Sequence, residues 1–143
     1  MNEMEERLHI EQVLVRYAEA CDRRDWGVFE EVFHEDVIAH YGTDYHLHGR
    51  TQVVAMIRSL LGGCGPTQHL LGNFRITVHG RQADSRCYVR AVHAGRDANA
   101  GKLFEVWGEY ADHLVLDALG WRILRRSMQI FHATGTREVL VPG

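Results

Sequence analysis

Residues 10–26 read IEQVLVRYAEACDRRDW, and this stretch decides how the chain begins to fold. Its apolar side chains recur at spacings of three and four, the pattern of a helix with one face in a core; they are Ile10, Val13, Leu14, Tyr17, Ala18 and Cys21. Asp22 lies four residues after Ala18, so it continues the apolar row. An inward carboxylate is costly unless a partner pairs with it, which makes Asp22 a candidate functional residue. A solvated helix end, or a bond to Arg23 or Arg24, is an equally open interpretation.

The remaining pattern predicts an α+β fold in a single domain over residues 1–143. The first helix covers about residues 3–23, a short second helix starts near Asp25, and a third covers about residues 50–61. Strands are predicted over residues 37–41 and 45–48, and four long strands joined by short turns follow at 67–79, 83–96, 103–116 and 121–132. We therefore expect a cone: a curved antiparallel or mixed sheet with about three N-terminal helices that enclose a cavity.

Composition limits the classes of partner. The chain is 45% hydrophobic and 24% charged, with a net charge of −3 at pH 7, which gives no reason to expect nucleic acid or a membrane. No apolar run reaches the roughly 18 residues of a membrane span, and the charged N-terminus is unlike a signal peptide. Cys21, Cys64 and Cys87 lack metal-like or redox-like spacing, which favours reduced thiols in the cytoplasm. A broadly neutral small ligand or another protein fits this composition; of these we expect a small hydrophobic molecule as the partner, and we expect no cofactor.

Three further residues could carry chemistry. His69 lies early in the first long strand, but alternation does not tell which face of the sheet it occupies. His93 alternates with Val89 and Ala91, which indicates that it points inward. Tyr41 ends a short strand and can equally be an aromatic that fills the core. An Asp beside a His would hold the ring in one tautomer and raise its basicity, which makes a general base.

Zinc binding is an alternative use of histidine. His46 and His48 share one face of a short strand, and His40 is near in sequence. Two strand histidines can ligate zinc, but the pattern offers no third strong ligand. A solvated hairpin is the favoured interpretation, and no metal is expected.

Several motifs spread over nearly the whole chain give it a family resemblance. They are YAEACDRRDW (17–26), FHED (33–36), GR (49–50), TQH (67–69), GEYAD (108–112) and GWRI (120–123). With these motifs the chain resembles the SnoaL-like domains of the nuclear transport factor two-like superfamily. The catalytic pattern is most similar to that of scytalone dehydratase, with bile-acid dehydratase and hexachlorocyclohexane dehydrochlorinase as similar cases.

The resemblance implies that Asp22 pairs with His69 and that His69 abstracts a proton. It also implies that Tyr41 and His93 hold a carbonyl group or deliver a proton to a leaving group. Helix and strand parity, with the resemblance, gives the expected substrate-binding residues: Tyr17, Val89, Ala91, Tyr110, Met128 and Ile130. The family tyrosine before the Asp is Cys21 here, and Tyr110 takes the place of an asparagine, so a substrate other than scytalone is expected.

The leading hypothesis is a cofactor-independent lyase or isomerase, dehydratase-like, acting on a small apolar ring compound. One alternative is a non-catalytic ligand-binding or assembly module of the same fold. Another is a polyketide cyclase or epoxide hydrolase; Arg126 could face inward for the latter, but a second inward Asp is not apparent. Outward apolar residues such as Val115 and Ile123 predict a homodimer, with a homotrimer as the alternative.

Overall fold

The first helix of the protein has the predicted bounds. A computed structural model describes residues 2–143, and helix α1 covers Glu3–Arg23. Asn2 caps it, since its side chain accepts a hydrogen bond of 2.9 Å from the backbone N–H of Glu5. The buried face of α1 contains the predicted apolar row together with Ala20. Periodicity alone therefore placed this helix against the core.

Two further helices lie near the predicted positions. A 3₁₀ helix at Trp26–Glu31 takes the place of the short second helix. Helix α2 covers Arg50–Leu61, as predicted. Neither α1 nor any other helix within residues 2–143 has the length and apolar character to cross a membrane.

Six strands form one curved, open sheet. They are β1 (Phe33–Tyr41), β2 (Tyr45–His48), β3 (Thr67–His79), β4 (Gln82–Ala94), β5 (Leu103–Asp117) and β6 (Gly120–Gly135). Their order is β2-β1-β6-β5-β4-β3. The pair β1–β6 is parallel and the other pairs are antiparallel, so the sheet is mixed. Helix α1 packs on β3 and α2 packs on β1, which confirms the α+β class.

A bulge in β6 changes which side chains point inward. Ile123 pairs with Leu114 and Arg125 pairs with His113, so Leu124 is an extra residue in β6. Alternation restarts after the bulge, and Ile123 and Arg126 are consequently both buried, at 0% and 2% exposure. The prediction that Ile123 points outward is wrong for this reason.

A second bulge lies in β3. Gly72 pairs with Tyr88 and Arg75 pairs with Arg86, and Asn73 in the inserted turn has φ 53°. Before the bulge, the alternation of side chains places His69 on the face of the sheet that lines the cavity. After the bulge, Ile76 is buried in the core. The bulge bends β3 away from a flat path and increases its twist.

Gly108 allows β5 and β6 to approach each other closely. A Cβ atom built on Gly108 would lie 2.0 Å from the backbone oxygen of Gln129. The register of the two strands shifts at this point, between Trp107 and Gly108. No side chain fits here without movement of the backbone.

Gly108→Ala should therefore lower the free energy of unfolding by about 2 kcal/mol. Gly72→Ala is the matched control, because a Cβ atom there meets nothing within 4 Å; its stability should stay within about 1 kcal/mol of wild type. Urea unfolding of both variants checks this. Equal losses in the two variants would contradict the role given to Gly108.

Candidate active site

Asp22 and His69 form a hydrogen-bonded pair. The Nδ1 atom of His69 lies 2.7 Å from Oδ1 of Asp22. The backbone N–H of His69 donates to Oδ2 at 3.0 Å, and the hydroxyl of Thr67 donates to Oδ1 at 2.9 Å. Because a carboxylate only accepts hydrogen bonds, Nδ1 carries the proton of the neutral ring and Nε2 is unprotonated.

Asp22 is half-buried and ionised. Its side chain is 22% exposed, and that of His69 is 7% exposed. Burial raises the pKa of Asp22, but hydrogen bonds from the ring and backbone of His69 and from Thr67 outweigh burial and leave the pKa below its usual 3.8. The carboxylate thus faces His69, whereas Arg24 binds the backbone carbonyl of Asp22.

Arg24 is the functional residue that the sequence pattern missed. It ends α1 in the left-handed region at φ 57°, and its guanidinium reaches the segment between α2 and β3. The acceptors are Leu61 O at 2.7 Å, Gly65 O at 2.6 Å, Thr67 Oγ1 at 2.8 Å, Cys21 O at 2.9 Å and Asp22 O at 3.1 Å. Arg24 therefore fixes the helix end that carries Asp22 to the start of the strand that carries His69. Periodicity does not distinguish it from its neighbour Arg23.

A cavity of about 600 Å³ lies in front of this pair. The predicted residues that line it are Tyr17, Tyr41, His69, Ala91, His93, Tyr110, Met128 and Ile130. Asp22 lies behind His69, outside the lining. Val89 was expected to line the pocket, but its side chain is only 2% exposed and packs in the core. The structure therefore places Val89 outside the lining of the cavity. The core of the domain takes up this position on β4, and Ala91, two residues along, reaches the cavity.

His93 stands beside His69 and is neutral. The two rings meet edge to face, with centroids 5.7 Å apart. Nδ1 of His93 lies 2.8 Å from the carbonyl oxygen of Phe104, so Nδ1 carries the proton and Nε2 can accept a hydrogen bond. Burial lowers the pKa of His93 to about 4, with a further contribution from the nearby His69. In this form the Nε2 atom of His93 is an acceptor for a hydrogen-bond donor in the cavity.

Three neighbouring tyrosines line the cavity, and we call them the tyrosine cluster: Tyr17, Tyr41 and Tyr110. The hydroxyl oxygens of Tyr41 and Tyr17 lie 3.0 Å apart and share one hydrogen bond, in which either phenol can donate. Behind the cluster, Arg126 is held by Asp112 in a buried two-point ion pair. Asp112 is the inward acid that was not apparent from the sequence, although it shares the strand parity of buried Tyr110.

The histidines considered for zinc binding lie outside the lining of the cavity. His40 and His46 are cross-strand partners with ring centroids 4.5 Å apart, and both are exposed. In the part of the chain from residue 2 to residue 143, no three His, Cys, Asp or Glu side chains are grouped to hold a metal ion. The three cysteines are buried free thiols.

A mixed sheet bent around a cavity, with helices across its open side and an Asp–His pair in its wall, defines an NTF2-like α+β domain. The chain belongs to the SnoaL-like domain family, whose model matches residues 2–127. This confirms the resemblance.

Several known proteins are similar to this chain in sequence or in structure. An uncharacterized protein of Mycobacterium tuberculosis is 35% identical over 127 residues, which cover 87% of this chain and 84% of that protein. A proposed aromatic ring hydroxylase from Novosphingobium aromaticivorans is 26% identical, with a TM-score of 0.86 over 97% of this chain and 99% of its own. A proposed scytalone dehydratase from the same species is 23% identical, with a TM-score of 0.83 over 93% and 89%. At this level of sequence identity, the similarity to the proposed scytalone dehydratase shows a shared fold.

The low pKa of Asp22 predicts acid sensitivity. A carboxyl group whose pKa is depressed on folding stabilises the protein above its ordinary pKa, and this contribution is lost as the pH falls through the folded-state value. Between about pH 5 and pH 2, wild type should therefore lose stability more steeply than Asp22→Asn. Urea unfolding at a series of pH values measures this, with Asp25→Asn as the control that keeps the wild-type slope. Parallel curves for wild type and Asp22→Asn would contradict it.

Arg24→Gln should lower the free energy of unfolding by about 2–4 kcal/mol, because several hydrogen bonds to a charged donor are lost together. Arg23→Gln is the matched control. Its side chain is 76% exposed and pairs with Glu19 only at 4.0 Å, so it should change stability by about 0.5 kcal/mol or less. Similar losses from both variants in chemical unfolding would rule out the fixing role of Arg24.

Proposed function

We propose that the protein is a cofactor-independent lyase or isomerase of the dehydratase type, in which His69 removes a proton from a small ring compound. One observation carries the proposal: the His69 ring lines the cavity while its Nδ1 atom lies 2.7 Å from Asp22. Since Asp22 holds the Nδ1 edge of the ring from behind, the opposite edge with the basic Nε2 atom is turned to the cavity. Asp22 also stabilises the imidazolium that forms when Nε2 takes the proton.

The cavity wall favours a compact, largely apolar substrate. Its walls include Leu60, Phe104, Val106 and Met128, and a volume of about 600 Å³ is in the range of small-molecule sites. An imidazole removes a carbon-bound proton only when a neighbouring group takes up the charge. We therefore propose a ring ketone, whose carbonyl oxygen accepts a hydrogen bond from Tyr41.

The proposed reaction conserves atoms and electrons. The C–H bond next to the carbonyl breaks, its proton moves to Nε2 of His69, and its electron pair forms an enolate. In a dehydration the enolate collapses, the C–O bond at the next carbon breaks, and the hydroxyl leaves as water with the proton from His69. In an isomerisation the proton returns to another carbon. His93 accepts a hydrogen bond from the substrate hydroxyl through Nε2 and orients that group.

The experiment is hydrogen exchange at the carbon next to a carbonyl. Wild type is incubated in D₂O with cyclohexanone and 3-hydroxycyclohexanone, and proton NMR follows deuterium uptake and enone formation. Asp22→Asn and His69→Gln should each lower the rate by about 10²–10⁴-fold, the usual contribution of a general base.

His79→Gln is the matched control for this experiment. His79 lies on the same strand and also faces an aspartate, Asp84 at 3.9 Å, but both side chains are more than 60% exposed. Its rate should equal that of wild type. Folded Asp22→Asn and His69→Gln proteins with wild-type rates would overturn the proposal and favour a non-catalytic binding module.

We also propose that the protein forms a homodimer, or alternatively a homotrimer, through the outer face of the sheet. Leu70, Tyr88, Trp107 and Phe131 are exposed there, with Tyr88 packed against Phe131. Tyr88→Glu should reduce the mass measured by light scattering to that of one 16.4 kDa chain. Leu8→Glu, at an equally exposed position on α1, should not. A wild-type mass of one chain would contradict the proposal.

A further inference from the structure

We infer that Arg126, fixed by Asp112, is a positioning residue that acts through Tyr41 and makes the tyrosine cluster a site for a negatively charged oxygen. The inference rests on the proposed function for its catalytic meaning, because only an enolate or similar intermediate places such an oxygen in the cavity. The observations that carry it concern side chains behind the cavity wall.

Arg126 is a buried cation with one unused donor. Its Nε and Nη2 atoms donate to the two carboxylate oxygens of Asp112 at 2.8 and 2.9 Å. The residues are 2% and 5% exposed. Nη1 is buried and has no hydrogen-bond partner anywhere in the described chain. Well-packed apolar side chains often replace a buried ion pair without loss of stability, so stability gives no reason for this arrangement.

The guanidinium lies directly behind the hydroxyl-bearing rings. Its central carbon is 3.9 Å from the ring centre of Tyr110 and 4.2 Å from that of Tyr17. These two rings meet edge to face at 5.6 Å, and the hydroxyl of Tyr17 lies 3.0 Å from that of Tyr41. When Tyr17 donates in this hydrogen bond, the proton of Tyr41 is free for a ligand. All three tyrosines line the cavity, whereas Arg126 and Asp112 do not. The cation thus acts on a ligand in this cavity through the tyrosines, although Arg126 and Asp112 also line a separate depression on the other side of the sheet.

The guanidinium lies over Tyr17, which shares a hydrogen bond with Tyr41, so the charge of Arg126 acts on Tyr41 as well. Burial raises the pKa of all three phenols, and it raises those of Tyr17 and Tyr110 well above the usual value. For Tyr41 the charge of Arg126 and the hydrogen bond with Tyr17 oppose the effect of burial, and its pKa rises less. A more acidic phenol donates a stronger hydrogen bond to an oxygen that gains negative charge.

The ion pair also suits a neutral substrate. Asp112 balances the charge of Arg126, so the cavity does not present a net cation that would bind any small anion. The two-point pair holds the guanidinium plane fixed against the tyrosine rings, and the site is therefore organised before negative charge develops.

The test measures binding of 4-nitrophenol, whose absorbance reports its ionisation, at one pH where it is neutral and one where it is anionic. Wild type should bind the anion more tightly than the neutral form. In Asp112→Leu/Arg126→Met, which removes both charges at similar volume, affinity for the anion should fall about tenfold, because Tyr41 still donates its hydrogen bond but without the support of the cation. Affinity for the neutral form should be unchanged. Arg125→Gln, an exposed neighbour on β6, is the control with wild-type binding.

Tyr41→Phe separates positioning from packing. It should cause at least as large a loss of anion affinity, and the double variant should add little to that loss, because both act through one hydroxyl. A folded double variant with wild-type preference for the anion, or fully additive losses, would overturn the inference. If the double variant does not fold, Asp112→Asn/Arg126→Gln decides, since it also removes both charges but keeps polar side chains: a reduced anion preference supports the inference and an unchanged one overturns it. No turnover is measured, so failure of the proposed lyase reaction gives a separate result.

Discussion

The hydrogen bond between Asp22 and His69 joins the last turn of α1 to the start of β3, and the arrangement of the site depends on it. The carboxylate is half-buried, yet it accepts hydrogen bonds from the ring and backbone of His69 and from Thr67. These hydrogen bonds compensate for the water that the carboxylate loses on burial. Arg24 fixes the same junction from the other side, through the carbonyls that end α1 and precede β3. The end of α1, the loop before β3 and the start of β3 are thereby held around the His69 ring.

The sequence was sufficient for most of the fold. The bounds of α1 and α2 follow from apolar spacing and from the glycines after Leu61, and the inward position of Asp22 follows from its place in the row of Ala18. Alternation failed at the bulges, because one extra residue inverts the faces of everything beyond it. The outward expectation for Ile123 was wrong for that reason.

The candidate site was predictable in part. The resemblance to SnoaL-like domains supplied His69 as the partner of Asp22, which periodicity left open. Arg24 and Asp112 were missed because their roles depend on tertiary partners: backbone carbonyls across a loop for one, and Arg126 on the next strand for the other. Parity put Val89 in the cavity, but the core reaches further along β4 than alternation can tell.

The cavity is lined by His69, which Asp22 holds through a hydrogen bond, and by the tyrosine cluster, which packs against the ion pair of Arg126 and Asp112. The central claim is that Asp22 accepts the Nδ1 proton of the neutral His69 ring and so leaves Nε2 unprotonated and available. Nitrogen-15 NMR of the His69 ring, at a pH where the ring is neutral, tests it most directly. A neutral ring with its proton on Nδ1, and a change in that tautomer in Asp22→Asn, is the expected result; a neutral ring with its proton on Nε2 would contradict the claim.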